Sequence, residues 1–364
     1  MHPSDNIKFI RRCLDLAVRA EGMTYPNPLV GSVIVHNGLI IGEGYHLKAG
    51  GPHAEKIAID SVADKEMLKS STLYVNLEPC SHFGKTPPCS DLIISAGIKK
   101  VIIGTKDTSD KVSGKGISNL KNADCEVITG VLEQECRWIN RRFFTFNEKK
   151  RPYIILKWAQ SADGFIDTNR HDDSGQKPAW ITGEAERVLV HKWRAAEQAI
   201  LAGAGTIRAD NPRLNVREWS GRNPVRGILS SSGLLNEGFA VFNINGTNVV
   251  FTNNADAKIA NAVMVKLDER SSSALQITNY FFNSGIQSML IEGGAKVLNH
   301  FISSGLWDEA RIFCGKDYFK EGIRTPVLNG KILLQKKYSG SSLKVILNEI
   351  DKTPATVDNY NKYL

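Results

Sequence analysis

The chain has 364 residues, and its 46 Lys or Arg against 38 Asp or Glu give a formal net charge of +8. Hydrophobic residues make up 42% and charged residues 23%, which excludes extensive disorder, and the length predicts two domains. No apolar run reaches the ~18–20 residues that cross a bilayer, and the polar N-terminus lacks an apolar signal segment, so we expect a cytoplasmic protein. Six cysteines are too few for a disulfide framework, and the scattered basic residues favour an anionic small-molecule substrate over nucleic acid.

The predicted elements of the first half alternate in type. Apolar residues at helical spacing predict a helix over 5–20, and apolar runs at 29–35 and 39–45 flank Asn37-Gly38, a pair typical of a hairpin turn. The pattern then predicts a helix, a strand, a helix and a strand at 54–68, 72–77, 89–96 and 101–104. A hairpin followed by this alternation predicts a three-layer α/β domain with helices on a mixed sheet.

A charged run that ends in a proline, Asn147–Pro152, marks the predicted domain boundary. We therefore predict domains over 1–148 and 149–364. Strands and helices alternate in the second domain, with strands predicted at 153–157, 199–202, 249–251 and 288–291 and helices at 184–196 and 295–303. Residues 330–364 are predicted to form a closing hairpin and a polar tail.

Three potential metal ligands stand out in the first half: His53, Cys80 and Cys89. One imidazole and two thiolates satisfy zinc and leave the fourth tetrahedral position open for water, which is the arrangement of a catalytic site. Glu55 follows the histidine by two residues, where it can shuttle the proton of that water without binding the metal. H-x-E followed by P-C and a second cysteine is typical of zinc deaminases, although the gap between the cysteines is longer here than usual. A structural zinc would need a fourth ligand, for which His82 is the nearby candidate.

Four stretches of the first half extend this pattern: Tyr25–Gly31, Gly42–His46, Gly51–Glu55 and Glu78–Cys89. They resemble the deaminase half of bifunctional riboflavin-biosynthesis proteins, a family in which the gap between the cysteines is long. The resemblance implies a cytidine-deaminase-like fold and hydrolytic removal of the 2-amino group from 2,5-diamino-6-ribosylamino-4(3H)-pyrimidinone 5′-phosphate. It also implies that substrate contacts come from Asn27, His46, His82, Lys85 and Thr86.

Two glycine-containing turns in the second half are candidates for binding the phosphates of a nucleotide, with a plain strand-to-helix turn as the alternative. Gly203-Ala204-Gly205-Thr206 follows a predicted strand, but Arg208 occupies the third glycine position of G-x-G-x-x-G. The standard Rossmann fingerprint is therefore not expected. Gly293-Gly294 joins another strand to a helix, and such a turn lets phosphates approach backbone N–H groups.

The second half resembles the reductase half of the same family through the stretches Lys157–Gly164, Trp180–Thr182, Arg194–Ala195, Gly205–Thr206, Ala209–Leu214 and Glu292–Gly294. The resemblance implies a dihydrofolate-reductase-like α/β fold and NADPH-dependent reduction of a ribosyl group to ribityl, with hydride delivered to C1′ of an opened, imine-like form. The implied NADPH contacts are Ala159, Trp180, Thr206, Asp210, Gly293 and Gly294. The implied contacts to the phosphorylated sugar and pyrimidine are Lys157, Arg194, Leu214, Arg217 and Glu292. Asp210 would lie where cofactor and substrate meet, as a candidate for proton handling.

Two places depart from the family pattern: Pro178 stands where a substrate-binding serine is usual, and Gln160–Gly164 stands where the family has a Met-Ser/Thr-Leu-Asp-Gly stretch. An alternative is therefore an active deaminase joined to a weak or inactive reductase. A zinc-bearing nucleic-acid-binding protein is the alternative from another class, and it would bind oligonucleotides in a strongly salt-dependent way. The expected partners are phosphorylated pyrimidines, with neither nucleic acid nor membrane, and the assembly, a homodimer or a homotetramer, is left open.

Overall fold

The structure, a computed structural model, describes residues 3–81, 87–109, 113–169 and 180–348. The chain divides into two compact units, the first running to Lys150 and the second beginning at Arg151. No helix within the described ranges is long and apolar enough to span a membrane.

The described part of the first unit forms a five-stranded mixed sheet in the order β2-β1-β3-β4-β5. Strand β1 pairs antiparallel with β2 and β3, and β3, β4 and β5 are parallel. The strands are β1 Gly31–His36, β2 Leu39–Tyr45, β3 Thr72–Leu77, β4 Lys100–Thr105 and β5 Glu126–Thr129. The helices are α1 Pro3–Ala17, α2 Ala54–Ser61, α3 Cys89–Ser95, α4 Lys115–Asn122, α5 Glu133–Ile139 and α6 Arg141–Lys149, with 3₁₀ helices at Val18–Ala20 and Lys65–Ser70.

Helices cover both faces of this sheet, as the side chains of β1 show by alternating between two core clusters. Val33 and Val35 lie in one core cluster with Ile10 of α1, whereas Ile34 lies in a second cluster with Ala58 of α2. Side chains alternate between the faces of a strand, so this division places one apolar layer on each side of the sheet. The predicted three-layer α/β fold is confirmed.

The predicted turn of the hairpin is also confirmed. Asn37 and Gly38 both have positive φ, 49° and 79°, as a type I′ turn requires. The helix predicted over 54–68 is wrong at its end, because α2 stops at Ser61 and a separate 3₁₀ helix follows. The Asp64 side chain accepts the Glu66 N–H at 3.0 Å and caps this new helix, while Lys65 Nζ donates to three carbonyls near the end of α2.

The described part of the second unit forms a nine-stranded sheet in the order β11-β10-β9-β8-β12-β6-β13-β16-β15, with β7 and β14 paired separately. The strands are β6 Tyr153–Gln160, β7 Phe165–Asp167, β8 Ala199–Gly203, β9 Val225–Leu229, β10 Asn248–Thr252, β11 Val263–Lys266, β12 Ser288–Ile291, β13 Glu309–Gly315, β14 Ile323–Arg324, β15 Lys331–Lys337 and β16 Ser341–Leu347. The helices are α7 Glu184–Ala196, α8 Ala204–Asp210, α9 Ser273–Asn283 and α10 Ala295–Ser303.

Parallel pairing in the middle of this sheet places the two glycine turns side by side. Strand β12 is parallel to both β8 and β6, and Ile291 pairs with Leu201 on one side and with Leu156 on the other. The chain therefore leaves β12 at Glu292 next to Lys157 of β6 and close to the turn that follows β8. The predicted strands and helices of this half are confirmed, including the closing hairpin β15–β16, whereas the predicted tail at 349–364 lies outside the described residues.

Candidate active sites

The three predicted metal ligands meet at the start of two helices. His53 occupies the N-cap position of α2, Cys89 begins α3, and Cys80 lies in the loop after β3. Their ligand atoms all lie within 4.8 Å of one another, with His53 Nδ1 3.2 Å from Cys89 Sγ and 3.5 Å from Cys80 Sγ. One imidazole nitrogen and two sulfurs at this spacing fit a zinc ion.

Hydrogen bonds already favour the thiolate form of Cys80. The Cys89 thiol and the His53 ring lower the pKa of Cys80, and the backbone N–H of Cys89 donates to Cys80 Sγ at 3.3 Å. The neighbouring Cys80 sulfur and burial raise the pKa of Cys89 in turn, because the two sulfurs compete for one proton. A cation between them would remove that competition, since zinc binds both cysteines as thiolates.

Glu55 lies beside this cluster in the first turn of α2. Its side chain interacts with Cys89, and the residue is only 3% exposed. Burial and the nearby Cys80 sulfur raise the pKa of Glu55 above its ordinary value. A buried carboxylate whose proton is held more tightly than usual is suited to exchanging protons with a reacting group.

Asn27 and His46, both predicted to contact substrate, form a hydrogen-bonded pair near the cluster. The His46 ring lies 5.5 Å from the His53 ring, centroid to centroid. His46 Nδ1 donates to the Pro52 carbonyl at 2.9 Å, so Nε2 accepts from Asn27 Nδ2 at 3.0 Å. Burial lowers the pKa of His46, which favours the neutral imidazole that can accept this hydrogen bond.

The loop that carries Asn27 is held by two buried asparagines that sequence reasoning missed. Asn76 of β3 accepts the Gly31 N–H at 2.7 Å and donates to the Leu29 carbonyl at 3.0 Å. Asn140 binds both backbone groups of Leu29, at 2.7 and 2.9 Å. An asparagine in the otherwise apolar run 72–77 was the available signal, because a buried amide needs partners.

Glu78 is a third missed residue, at the end of β3 just before the Cys80 loop. Its buried carboxylate accepts backbone N–H groups of Asp107 at 3.2 Å, Gly114 at 3.1 Å and Ile117 at 3.2 Å. Gly116 packs so closely that an added Cβ would lie 2.0 Å from the Pro79 carbonyl oxygen. These contacts fasten the first turn of α4 to the segment that presents Cys80. The predicted substrate residues His82, Lys85 and Thr86 lie outside the described residues.

The second unit contains a buried cluster of charge at the end of β12. Glu292, 8% exposed, accepts from Arg194 Nε at 2.7 Å and Nη2 at 2.9 Å, and Lys157 Nζ lies 3.5 Å away. Burial raises the pKa of Glu292, but the charges of Arg194 and Lys157 outweigh it and lower the pKa to about 2. Three residues predicted to bind substrate are thus brought together as a fixed ionic group.

The two glycine turns meet as the register of the sheet requires. An added Cβ at Gly294 would lie 3.3 Å from Thr206 Oγ1, and one at Gly293 would lie 2.9 Å from Val297 Cβ. Asp210 ends α8, one helical turn beyond Thr206. Bare backbone at Gly293 and Gly294 next to a hydroxyl fits the phosphates of a nucleotide cofactor, since close approach to backbone N–H groups needs positions without a side chain.

Other predicted reductase residues lie in different surroundings. Ala159 is half-buried on β6 opposite Phe313 of β13, and Trp180 is exposed with the Arg187 guanidinium 5.1 Å from its ring. Leu214 packs into the core with Ile207, so any substrate contact would come from its backbone. Pro178 lies outside the described residues.

Folds and sites together define the class: an α/β domain with a three-residue cluster that fits zinc, followed by an α/β domain whose glycine turns fit the phosphates of a nucleotide. Residues 3–105 match the family described as cytidine and deoxycytidylate deaminase zinc-binding region, and residues 152–315 match the RibD C-terminal domain.

The similarity to known proteins extends over nearly the whole chain. Riboflavin biosynthesis protein RibD of Aquifex aeolicus is 38% identical over 86% of this chain and 88% of its own, and that of Bacillus amyloliquefaciens is 37% identical over 92% and 88%. The crystal structure of a diaminohydroxyphosphoribosylaminopyrimidine deaminase/5-amino-6-(5-phosphoribosylamino)uracil reductase from Thermotoga maritima superposes with a TM-score of 0.87 at 38% identity, covering 96% of this chain and 100% of that one. RibD of Acinetobacter baumannii gives 0.84 at 30% identity, covering 95% and 99%.

The chain belongs to the RibD family of riboflavin biosynthesis, whose members combine a deaminase domain with a reductase domain. The α/β fold class and the bifunctional enzyme predicted from the sequence are confirmed. Nothing in these matches supports the nucleic-acid-binding alternative.

Proposed function

We propose that the first unit removes the 2-amino group of 2,5-diamino-6-ribosylamino-4(3H)-pyrimidinone 5′-phosphate by hydrolysis. The product, 5-amino-6-(5-phosphoribosylamino)uracil, is then reduced by the second unit with NADPH, which converts its ribosyl group to ribityl. The observation that carries this proposal is the cluster of His53, Cys80 and Cys89 beside the buried Glu55. The Thermotoga maritima relative, named for these two activities, supports it across 96% of the chain.

The deaminase residues divide into metal ligands, a proton carrier and a substrate holder. When bound by His53 Nδ1 and the two thiolates, zinc supplies a Lewis acid that lowers the pKa of water. Glu55 then accepts a proton from the water that attacks C2 and passes it to the neighbouring ring nitrogen. A second transfer through Glu55 protonates the amino group, which leaves as ammonia while the new carbonyl forms. We assign the Asn27 amide to the edge of the pyrimidine, with its orientation fixed by the neutral His46.

In the reductase, NADPH supplies the hydride when bound. The backbone of Gly293 and Gly294 and the Thr206 hydroxyl would hold its phosphates, and Ala159 and Trp180 would line the rest of its site. Asp210 is our candidate for the proton that accompanies hydride transfer to C1′.

We assign different roles to the cationic residues of the reductase according to how exposed their side chains are. Arg194 is 11% exposed, and its donors are engaged by Glu292 and by the Asn215 carbonyl at 3.1 Å. The Arg217 side chain is 40% exposed. We therefore assign the substrate phosphate to Arg217, because a guanidinium can bind a phosphate through two parallel hydrogen bonds. Arg194 and Lys157 then fix Glu292, whose carboxylate is directed to the polar atoms of the substrate.

A single experiment tests both halves. Zinc-loaded protein is given the diaminopyrimidine phosphate with and without NADPH, and products are identified by mass. Without NADPH we expect exchange of one amino group for oxygen, and with NADPH a further gain of two hydrogens. An unchanged pyrimidine would overturn the deaminase assignment. Deamination without reduction would instead support the alternative of an inactive reductase.

A further inference from the structure

One face of helix α7 holds the segment that contains Arg217. Arg187, His191 and Arg194 are spaced by four and three residues, so they lie along the same side of the helix. Arg187 Nε donates to Glu218 Oε2 at 2.9 Å, and Arg194 Nη1 donates to the Asn215 carbonyl at 3.1 Å. Between them, His191 Nδ1 accepts the backbone N–H of Arg217 at 3.3 Å.

His191 is the buried centre of this contact, with 1% exposure. Because Nδ1 accepts a hydrogen bond, the ring proton is on Nε2, which lies 3.9 Å from Glu218 Oε1. Burial and the charges of Arg194 and Arg217 lower the pKa of His191 to about 4. At neutral pH the imidazole is therefore an uncharged acceptor, which makes it unsuited to donating a proton but able to hold a backbone N–H next to several cations.

We propose that His191 is a positioning residue of the reductase, which sets the affinity for the phosphorylated substrate by holding the backbone at Arg217. The inference rests on the proposed function, because it takes Arg217 as the residue that binds the substrate phosphate. A long side chain such as that of Arg217 reaches a fixed phosphate with both nitrogens only if its backbone is fixed, and His191 binds that backbone at the residue itself. His191 would touch neither substrate nor cofactor.

Two substitutions separate this role from simple packing. His191→Leu fills much of the space but offers no acceptor, whereas His191→Asn places an amide oxygen near the position of Nδ1. In the full-length, zinc-loaded protein we expect His191→Leu to raise the reductase KM for the phosphorylated substrate about tenfold, the effect of one lost hydrogen bond. The kcat and the KM for NADPH should stay within about twofold, and His191→Asn should recover most of the affinity.

Val190→Ala is the matched control, since Val190 is the buried neighbour of His191 on the same helix but makes none of these contacts through its side chain. It should lower the thermal stability without changing the KM. If His191→Leu does not fold, His191→Gln replaces it, because its amide lies near the Nε2 position instead of the Nδ1 position. The comparison with His191→Asn then measures the same hydrogen bond.

Arg217→Ala distinguishes failure of the inference from failure of the proposed function. A raised KM in Arg217→Ala together with an unchanged KM in His191→Leu would refute the positioning role and leave the phosphate assignment intact. Equal losses in His191→Leu, His191→Asn and Val190→Ala would show that His191 only packs, which also overturns the proposal. An unchanged KM in Arg217→Ala would reject the phosphate assignment itself.

Discussion

The buried charge cluster of the second unit gives the sharpest prediction about stability. Arg194→Met keeps most of the side-chain volume but removes the two hydrogen bonds, at 2.7 and 2.9 Å, that hold Glu292. The carboxylate would then remain buried with Lys157 at 3.5 Å. Removing one partner of a buried ion pair destabilises proteins by about 3–5 kcal/mol, because the other charge stays out of water.

The lowered pKa of Glu292 gives a second measure of how much this ion pair stabilises the folded protein. The difference between its ordinary value of 4.5 and about 2 in the folded protein corresponds to roughly 3 kcal/mol. Because the folded pKa is lowered, this stabilisation is fully present above pH 4.5 and is lost as the pH falls towards 2. The stability difference between wild type and Arg194→Met should therefore be about 3 kcal/mol at neutral pH and shrink across this acidic range.

Urea unfolding followed by tryptophan fluorescence measures this difference. Every tryptophan except Trp138 lies after Arg151, so the signal reports mainly on the second unit, whose transition is fitted separately. We expect a lower midpoint with an unchanged slope. Arg270→Met, which removes an exposed ion pair with Asp268, is the control and should leave the midpoint unchanged. A loss below about 1 kcal/mol in Arg194→Met would mean that the cluster behaves like a solvated surface pair, contrary to our reasoning.

Three predictions concern the deaminase. Metal analysis should show that Cys80→Ser and Cys89→Ser each lose zinc, whereas the control Cys314→Ser, in the second unit, keeps it. Undiminished zinc in both Cys80→Ser and Cys89→Ser would place the metal elsewhere. Glu55→Gln should keep zinc but slow deamination by ~10²–10⁴-fold. The variant should still reduce already-deaminated substrate at the normal rate, because every proposed reductase residue belongs to the other unit. A parallel loss of both activities would contradict two separate sites. Glu78→Gln should release zinc to a chelator faster than wild type, because the new amide cannot accept all three backbone N–H groups. An unchanged release rate would show that this carboxylate does not support the Cys80 loop.

The metal cluster could be predicted from the sequence because its chemistry is local. His53 and Glu55 share one helix start, and Cys80 and Cys89 are only nine residues apart, so residue type and spacing alone indicate zinc. What the sequence could not show is how the surrounding chain is held. The three N–H groups that Glu78 binds lie some 30 to 40 residues away along the chain, and no spacing rule connects them.

The charged cluster of the reductase was only partly predictable, because its contacts depend on the order of the strands in the sheet. Lys157, Arg194 and Glu292 were each expected near substrate, but that they bind one another depends on the parallel register of β12 with β6 and β8. The sequence pattern predicted these strands without their order. The family resemblance implied a substrate contact for Arg194, whereas its pairing with Glu292 required the fold.

Comparing Glu55 with Glu292 shows that surroundings, more than burial, decide what a carboxylate can do. Burial and the neighbouring Cys80 sulfur raise the pKa of Glu55, so its proton is held closely enough to be carried between reacting atoms. Glu292 is equally withdrawn from water, yet Arg194 and Lys157 keep it ionised down to a pH of about 2. A carboxylate held in that state cannot take up a proton near neutral pH and acts instead as a fixed acceptor. The chain thus uses the same residue type as a proton carrier in one unit and as a permanent charge in the other, and the difference lies in which neighbours the fold supplies.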